Sequence, residues 1–430
     1  MESLFGELPV PPLARWASIL FSLFVLTLVV SLAASQALLV LAATVYAIHL
    51  LKNRPPVHFL PVKLPLALFA ITTIISIFWA ANPTVGWFAV RKLILFLIWL
   101  LAVNLVISRR HFLRLFQGLF LTSAIAGVVA ITQFVIQYRE VHALHPHRLY
   151  FYLTVSRIHG FMGHWMNFGG QQMLVFAALL AFLLLRTRPN AETGSASPGR
   201  PITWLWWSAI GIVSLSILLN FTRGVWLGCS VAAVYLVARW KPRWLLALPI
   251  LLALGYLTAP SIVRERVYLA LHPHQDPALS IRLEMWRVAI RMIRAHPWVG
   301  VGPNNIVEVY PLYMPPGKSP RVGYHNHFHN DFLQFAAERG LPCLFAWVWL
   351  MAALGWYTWK IRRRLTSQRW VADATLAGWL AFLAEGCFEF NFGTSPVLMV
   401  FLFLTSTPFI AARFEKSDPG AGNQSVASSQ

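Results

Sequence analysis

The segment Leu93–Val106, LILFLIWLLAVNLV, has no charged residue and consists almost entirely of large apolar side chains. With the apolar residues before it, this segment is long enough to cross the hydrocarbon core of a bilayer as a helix, which takes about 20 residues. Comparable runs recur throughout the 430 residues, of which 57% are hydrophobic and only 12% are charged. The sequence therefore predicts an all-α polytopic membrane protein.

The apolar runs predict about twelve transmembrane helices. By this prediction, residues 1–259 hold about nine of these helices with an outer loop near 137–167, and residues 260–340 form a large, partly helical outer loop. Residues 341–412 then hold about three more helices, and residues 413–430 form a cytoplasmic tail. The predicted spans are roughly 16–31, 36–50, 64–80, 85–107, 112–136, 168–185, 204–220, 222–238, 244–259, 341–359, 372–390 and 396–412.

The distribution of charge predicts the orientation of the chain. It has 35 Lys and Arg against 15 Asp and Glu, a formal net charge of +20. The basic residues are scattered over short loops between apolar runs, which is typical of cytoplasmic loops and not of a nucleic-acid surface. Both termini are therefore expected in the cytoplasm, and the two longer loops on the opposite face. The three cysteines lie in apolar segments without zinc-type spacing, so no disulfide is predicted.

A histidine-rich segment follows in the large outer loop. Residues 324–334 read YHNHFHNDFLQ, directly before a predicted span. Imidazole accepts and returns a proton near neutral pH, so the segment suggests proton-transfer chemistry at a membrane surface. A short helix is predicted over Asn330–Arg339 and is ended by Gly340, which places His329 at a helix start. The positive end of the helix favours a neutral imidazole that can act as a base.

Two other interpretations of this segment stay open. His325, His327 and His329 alternate and could bind zinc from one face of an extended strand. Alternatively, His325 and His327 could be polar loop residues without a role.

Four arginines are candidates for holding a bound anion on the outer face. Arg223 joins two spans with almost no loop, and a charge at the membrane boundary is costly unless it has a partner or lines a cavity. Arg282 lies near the start of a helix predicted over about residues 280–295, where a fork-shaped guanidinium beside helix N–H groups suits pyrophosphate. Arg157 and Arg91 could add contacts from the shorter loop and the fourth span.

Structural roles compete with anion binding at these positions. Trp286 shares a helix face with Arg282, whereas Arg287, Arg291 and Arg294 share another face that suits anionic lipid head groups. The alternative partners are Glu385 or Glu389 for Arg223, Glu284 or Glu265 for Arg282, and Glu389 or a lipid phosphate for Arg91.

Three motifs, taken in order, resemble those of the O-antigen ligase / O-antigen polymerase superfamily of bacterial envelope glycosyltransferases. The N-terminal half is similar only in hydropathy and in Arg157-x-x-Gly160. The motifs are Arg223-Gly224 at a span junction, Arg282-x-x-x-Trp286 leading into HPWVGVG at 296–302, and HNDFLQ at 329–334 ending in ERGL at 338–341.

The resemblance implies a C-type glycosyltransferase (GT-C) membrane fold in the bacterial inner membrane, with a periplasmic active site. It also implies a glycan donor carried on undecaprenyl pyrophosphate and transfer without metal or other cofactor. The catalytic histidine of the family corresponds to His329, which is directly followed by Asn330. Arg223, Arg282, and Arg157 or Arg91 would then hold the pyrophosphate, and Asn330, Trp286 and His327 would support the site.

The chemistry of glycosyl transfer is compatible with these residues. Attack of a sugar hydroxyl on an anomeric carbon needs a base for the proton and cations for the departing pyrophosphate. The sequence has no Asp-x-Asp pattern for a divalent cation, so arginines are expected to replace the metal. Direct displacement would invert the anomeric centre, because no close carboxylate pair for a retaining mechanism can be argued.

The motifs leave the acceptor open. A ligase would transfer the glycan to lipid A–core, and this function is preferred here because the large outer loop resembles one lid over one site. A polymerase of the same superfamily would use a second lipid-linked glycan instead. A protein O-oligosaccharyltransferase and a transporter are less favoured, the latter because the charges gather at one face instead of the bilayer midplane.

Overall fold

The computed structural model describes residues 11–186, 200–272, 275, 277–317 and 326–416. Within these ranges every regular element is helical, which confirms the all-α prediction. His325 and the tail beyond residue 416 lie outside them. The helices are α1 (Pro12–Thr27), α2 (Leu32–Asn53), α3 (Lys63–Phe78), α4 (Pro83–Val90), α5 (Leu97–Leu105), α6 (Arg109–Leu144), α7 (Leu149–Val155), α8 (Trp165–Leu185), α9 (Arg200–Leu219), α10 (Arg223–Trp240), α11 (Leu248–Thr258), α12 (Ser261–Leu271), α13 (Pro277–Ala295), α14 (Ile306–Val309), α15 (Asp331–Arg362), α16 (Arg369–Gly386) and α17 (Ser395–Lys416).

A helix lies at each of the predicted spans, and the chain is a polytopic membrane protein. Among the described residues, six helical segments are long and apolar enough to cross a bilayer, judged by length and composition. Shorter apolar helices add to them, including Pro12–Thr27 and Lys63–Phe78. The count of twelve spans and the GT-C-type fold stay predictions. The six segments are Leu32–Asn53, Pro83–Leu105, Arg109–Leu144, Trp165–Leu185, Asp331–Arg362 and Ser395–Glu415.

Several predicted boundaries differ from the structure by a few residues, among them the C-terminal ends of α6 and α16. The helix predicted to end near residue 136 continues as α6 to Leu144, because the polar residues after the span contain no helix breaker before Pro146. The span predicted over 372–390 ends four residues earlier, since α16 stops at Gly386 and a turn follows. Phe388, Phe390 and Phe392 make this turn look like a continuation of the membrane span.

The centre of the bundle is formed by α8, α10, α16 and α17. These helices approach closely where small residues meet, as is common between membrane helices. A Cβ on Gly228 would lie 2.1 Å from the Sδ of Met173 and 3.0 Å from the carbonyl oxygen of Ala381. A Cβ on Gly170 would lie 2.8 Å from Val397. This packing fixes the end of α16, which is followed by the turn that contains Glu389.

The outer segment before α15 is anchored by α13. This helix ends at Ala295, two residues before Pro297, as predicted, although it begins at Pro277 instead of near residue 280. Its buried face forms a small apolar core with Phe328 of the histidine segment. The residues on that face are Met285, Val288, Ala289 and Met292.

The turn that follows α13 is hydrogen-bonded to a kink in α15. At the kink, Gly340 has φ 80° and ψ 170°, so α15 is two helices joined there, as predicted. A Cβ on Gly300 would lie 2.3 Å from the carbonyl carbon of Glu338, and one on Gly340 would lie 2.3 Å from the carbonyl oxygen of Trp298. Only glycine permits this approach. The bonds run from the N–H of Val301 to the O of Ala337 (2.9 Å), from Gly302 to Glu338 (2.8 Å) and from Leu341 to Pro297 (2.7 Å).

Candidate active site

Phe328 fixes the two described histidines of the segment by lying between them. Its side chain is completely buried. Its N–H donates to Oε1 of Gln334 at 2.8 Å, and its carbonyl accepts a hydrogen bond from Nε1 of Trp286 at 3.0 Å. Because both backbone groups of Phe328 are bonded to side chains, the positions of His327 and His329 are set before any substrate is present.

Both histidines meet the carboxylate of Glu389. Nδ1 of His329 lies 2.9 Å from Oε2 and 3.0 Å from Oε1, and Nε2 of His327 lies 3.3 Å from Oε1. Glu389 is 5% exposed and lies in the turn after α16. A carboxylate accepts hydrogen bonds only, so each of these ring nitrogens donates.

The contact with Glu389 determines the tautomer of His329. A neutral imidazole that carries its proton on Nδ1 has its lone pair on Nε2. When the ring of His329 is neutral, the nitrogen that can act as a base is therefore Nε2. Burial alone would raise the pKa of Glu389, but the charge that His329 and His327 carry when protonated, together with their hydrogen bonds, outweighs it and lowers that pKa. The carboxylate stays ionised beneath the two rings.

Asn330 connects the histidine segment to the turn that carries Glu389. It is the N-cap of α15, and its Oδ1 accepts a hydrogen bond from the N–H of Leu333 at 2.9 Å. Its Nδ2 donates to the carbonyl of Cys387 at 2.8 Å. His329, directly before this cap, has φ 47°, a left-handed conformation that is uncommon for a residue with a Cβ. The predicted position of His329 at a helix start is confirmed.

Arg282 and Trp286 face the histidines from α13. Nη2 of Arg282 lies 3.6 Å from Oε2 of Glu389. The sequence analysis had proposed Glu389 as a partner only for Arg223 and Arg91. The indole of Trp286 packs near the ring of Phe388, with 6.3 Å between the ring centroids. On the opposite face, Arg287, Arg291 and Arg294 are exposed, as their spacing predicts.

Three of the predicted arginines, Arg157, Arg223 and Arg282, lie within electrostatic range of one another. Arg157 donates from Nε to the carbonyl of Thr154 at 2.7 Å, and its guanidinium lies 5.3 Å from the ring centre of Trp165. Burial, and then the positive charges of Arg266, Arg282 and Arg223, lower the pKa of Arg157 to about 9. Arg157 therefore keeps its charge at neutral pH, and a bound anion would relieve the repulsion within the cluster.

Arg223 is presented by a strained turn between α9 and α10. Phe221 in this turn has φ 55°, in the left-handed region. The turn is tied down by Arg266, whose Nε donates to the carbonyl of Phe221 at 3.2 Å. Nδ2 of Asn220 donates to the carbonyls of Ile158 at 2.9 Å and Trp165 at 3.1 Å, which joins this turn to the loop of Arg157.

The structure places Arg91 apart from these residues. Arg91 is exposed, and its guanidinium lies 4.3 Å from the ring centre of Phe88 one turn earlier. The neighbouring Lys92 points the other way, and its Nζ donates to the carbonyl of Gly393 in the turn that carries Glu389. In this region the lysine, not the arginine, contacts the segment that follows Glu389.

Sequence reasoning missed His164 and Arg266. It named Glu389 only as a possible partner of arginines and missed its contact with the histidines. Burial lowers the pKa of His164, with Glu389 opposing the shift and His327 and Arg157 adding to it, so His164 lies within electrostatic range of the histidine pair. Arg266 is 8% exposed, and this burial, which marks it as unusual among arginines, is not visible in the sequence.

The histidine pair and Glu389 could also hold a metal ion. One donor atom from each of His327, His329 and Glu389 lies within 4.8 Å of the other two. The zinc interpretation drawn from the sequence used His325, which lies outside the described residues. In the structure the third candidate ligand is therefore the carboxylate of Glu389, whereas the sequence interpretation had His325 in that position.

Comparisons with known proteins agree with the resemblance seen in the sequence. Residues 208–348 match a protein-family model described as O-antigen ligase. An O-antigen ligase from Pseudomonas aeruginosa is 28% identical over 190 residues, which cover 41% of this chain and 41% of that protein. The match thus spans about two fifths of the relative's length. These findings confirm the resemblance to the O-antigen ligase / O-antigen polymerase superfamily.

Proposed function

We propose that this protein transfers a glycan from undecaprenyl pyrophosphate to a sugar hydroxyl of lipid A–core, at the periplasmic face of the bacterial inner membrane. The observation that carries the proposal is the contact of 2.9 Å between Nδ1 of His329 and the buried carboxylate of Glu389, close to a cluster of arginines. One part of the site can accept a proton, and the other can hold an anion. Inverting glycosyl transfer from a pyrophosphate needs both.

His329 acts as the general base in this proposal. Nε2 takes the proton of the acceptor hydroxyl while the hydroxyl oxygen bonds to the anomeric carbon of the donor. Glu389 holds the ring in the required tautomer and stabilises the imidazolium that forms. A positioned proton acceptor of this kind contributes roughly 10²–10⁴-fold to the rate.

The arginine cluster receives the leaving group. As the bond from the anomeric carbon to the phosphate oxygen breaks, its electron pair leaves with the undecaprenyl pyrophosphate. Arg157, Arg223 and Arg282 stabilise the growing charge, because fork-shaped guanidinium groups bind phosphate oxygens in pairs. No step of this mechanism uses a metal ion, and displacement in one step inverts the anomeric centre.

Purified protein in lipid nanodiscs, given a lipid-linked glycan donor with and without lipid A–core, tests this function. The expected product is glycosylated lipid A–core, formed only when both substrates are present. Products lengthened from lipid-linked donor alone would instead identify a polymerase of the same superfamily. Absence of both products under conditions in which the protein stays folded would contradict the proposal.

A matched pair of variants connects the product to the site. His329→Gln removes the proposed base, whereas His272→Gln removes an imidazole that stacks on Tyr268 with 3.9 Å between the ring centroids. We expect loss of product with the first variant and normal amounts with the second. Equal activity of the two variants would exclude His329 as the base.

A further inference from the structure

We infer that His327, His329 and Glu389 form a binding site for a zinc ion, and that zinc in this site blocks the base of the proposed reaction. The binding is independent of the proposed function, whereas the block rests on it. The inference gives His327 a part in the site and relates the two described histidines of the segment to one carboxylate.

The donor atoms are of the kind and number that zinc prefers. Two imidazole nitrogens and one carboxylate oxygen, with a fourth position left to water, form a common zinc site with three protein ligands. Magnesium and calcium favour sites made of oxygen ligands, so a pair of imidazoles selects against them.

The distances from the two imidazole nitrogens to Glu389 are close to those of a tetrahedral zinc site. In a tetrahedral site with bonds of about 2.0–2.1 Å, ligand atoms are roughly 3.3–3.4 Å apart. Nδ1 of His329 and Nε2 of His327 lie 2.9 Å and 3.3 Å from the nearest oxygens of Glu389, and the donor atoms of all three residues lie within 4.8 Å of one another. The imidazole rings lie side by side, with 4.2 Å between their centroids. A small opening of the His329–Glu389 contact admits the ion.

The site is largely formed in advance, which lowers the entropy cost of binding. Buried Phe328 fixes the backbone between the two histidines, and the hydrogen bond from Trp286 fixes its carbonyl. The carboxylate lies in the turn to which Asn330 donates a hydrogen bond at 2.8 Å. Preorganised ligands of this kind favour metal affinity.

Charges around the site act in both directions. Arg282, 3.6 Å from Oε2 of Glu389, disfavours a cation. The ionised carboxylate of Glu389 itself favours a cation. If zinc binds one oxygen of Glu389, the other oxygen can still pair with Arg282.

Zinc and catalysis compete for a single lone pair on His329. In the active form Nδ1 carries the proton and Nε2 carries the lone pair. A zinc ion on Nδ1 requires the lone pair there, so the proton of the neutral ring moves to Nε2. An imidazole protonated at Nε2 cannot accept the proton of the acceptor hydroxyl, and turnover stops without any change in the fold.

Direct metal binding tests the site without reference to activity. The full-length protein, purified without a polyhistidine tag, is stripped with a chelator and dialysed. Zinc binding is then measured by equilibrium dialysis, and Co²⁺ serves as an absorbing substitute that reports imidazole ligation. The variants are His327→Gln and Glu389→Gln, and the control is His296→Gln, an outer-loop imidazole whose Nε2 lies 2.7 Å from the hydroxyl of Tyr313.

We expect the wild type and His296→Gln to bind zinc equally well, and both ligand variants to bind it at least about tenfold more weakly. Elution of each variant as a folded species is checked first. Because Glu389 is buried, His327→Gln decides the outcome if the other variant does not fold. Equal zinc affinity in the wild type and His327→Gln, or a cobalt spectrum that His327→Gln leaves unchanged, would overturn the site.

The ratio of turnover with and without zinc tests the block. This ratio should be well below one for the wild type and for His296→Gln, and close to one for His327→Gln, whatever activity that variant retains without zinc. Zinc bound by the wild type with full turnover would overturn the block. If metal-free wild type does not transfer glycan at all, the proposed function fails, whereas the dialysis result still decides the zinc site.

Discussion

Nδ1 of His329 lies 2.9 Å from Oε2 of Glu389, although 60 residues separate them in the sequence. His329 holds a left-handed backbone conformation to make this contact, and Asn330 directly after it bonds to the turn that carries Glu389. A strained backbone costs roughly 1–3 kcal/mol and persists only where its surroundings impose it. Here the buried Phe328 and the cap of α15 impose it, at the position where a base is needed.

Glu389→Gln should reduce turnover by about 10²–10⁴-fold, the range that a positioned proton-transfer group contributes. The amide keeps the shape of the side chain but has no charge to stabilise the imidazolium of His329. The Michaelis constant for the lipid-linked donor should change much less than kcat, because the arginine cluster is intact. Initial rates at varied donor concentration give both quantities.

The control for this variant is Glu308→Gln, which removes an exposed outer carboxylate on α14. It should keep normal turnover. If Glu389→Gln is as active as this control, Glu389 does not assist His329. If Glu389→Gln changes only the Michaelis constant, the carboxylate contributes to donor binding instead.

Local sequence patterns predicted most of the fold. Apolar runs placed a helix at every expected span, because hydropathy and helix length are properties of neighbouring residues. The kink at Gly340 and the helix start at His329 were also predictable, since Gly, Pro and an N-capping Asn act within a few residues.

The partner of His329 could not be predicted in the same way. Glu389 lies among Phe388, Phe390 and Phe392, so it looked like part of a membrane span. These rings pack inward, for example Phe390 and Phe392 against Phe335, with centroid distances of 5.8 Å and 5.4 Å, and the chain turns there. Only the packing of α15 against α16 brings the carboxylate to the histidines.

Arg157→Gln and Arg223→Gln should each lower kcat/KM for the lipid-linked donor by about 10–100-fold, because a hydrogen bond to a charged group contributes roughly 1.5–3 kcal/mol. Arg287→Gln, on the exposed face of α13, is the matched control and should have an effect of less than about threefold, as surface charges contribute little. Steady-state kinetics at low donor concentration measure the difference. A uniform small effect at all three positions would mean that the arginines serve only the membrane surface.

Gly300→Ala should destabilise the outer segment by more than about 1–3 kcal/mol, the cost of a strained backbone alone, because the new Cβ would also lie 2.3 Å from the carbonyl carbon of Glu338. Gly300 has φ 66°, which disfavours alanine even without the contact. The expected results are a lower Tm in detergent and faster proteolysis after α13.

Gly211→Ala is the control for this change, since nothing lies within 4 Å of a Cβ at that position of α9. Alanine there should leave Tm unchanged or raise it, because its higher helix propensity stabilises the helix by up to about 1 kcal/mol. Similar Tm values for the two variants would mean that the bonds between the turn after α13 and the kink of α15 do not limit stability.

A chelator should leave glycan transfer intact, and should raise it in preparations that contain trace zinc. In the proposed mechanism arginines hold the leaving group, so no metal ion is needed there. The residues that could bind a metal, His327, His329 and Glu389, include the proposed base. Any ion on Nδ1 of His329 removes the lone pair from Nε2, so a metal here opposes the reaction.

Turnover is measured after dialysis against EDTA, then with Mg²⁺ and with Zn²⁺ added back. We expect no gain from Mg²⁺ and inhibition by Zn²⁺. Loss of turnover in EDTA, with recovery on adding either ion, would show that the cluster is a catalytic metal centre and that His329 is a ligand instead of a base.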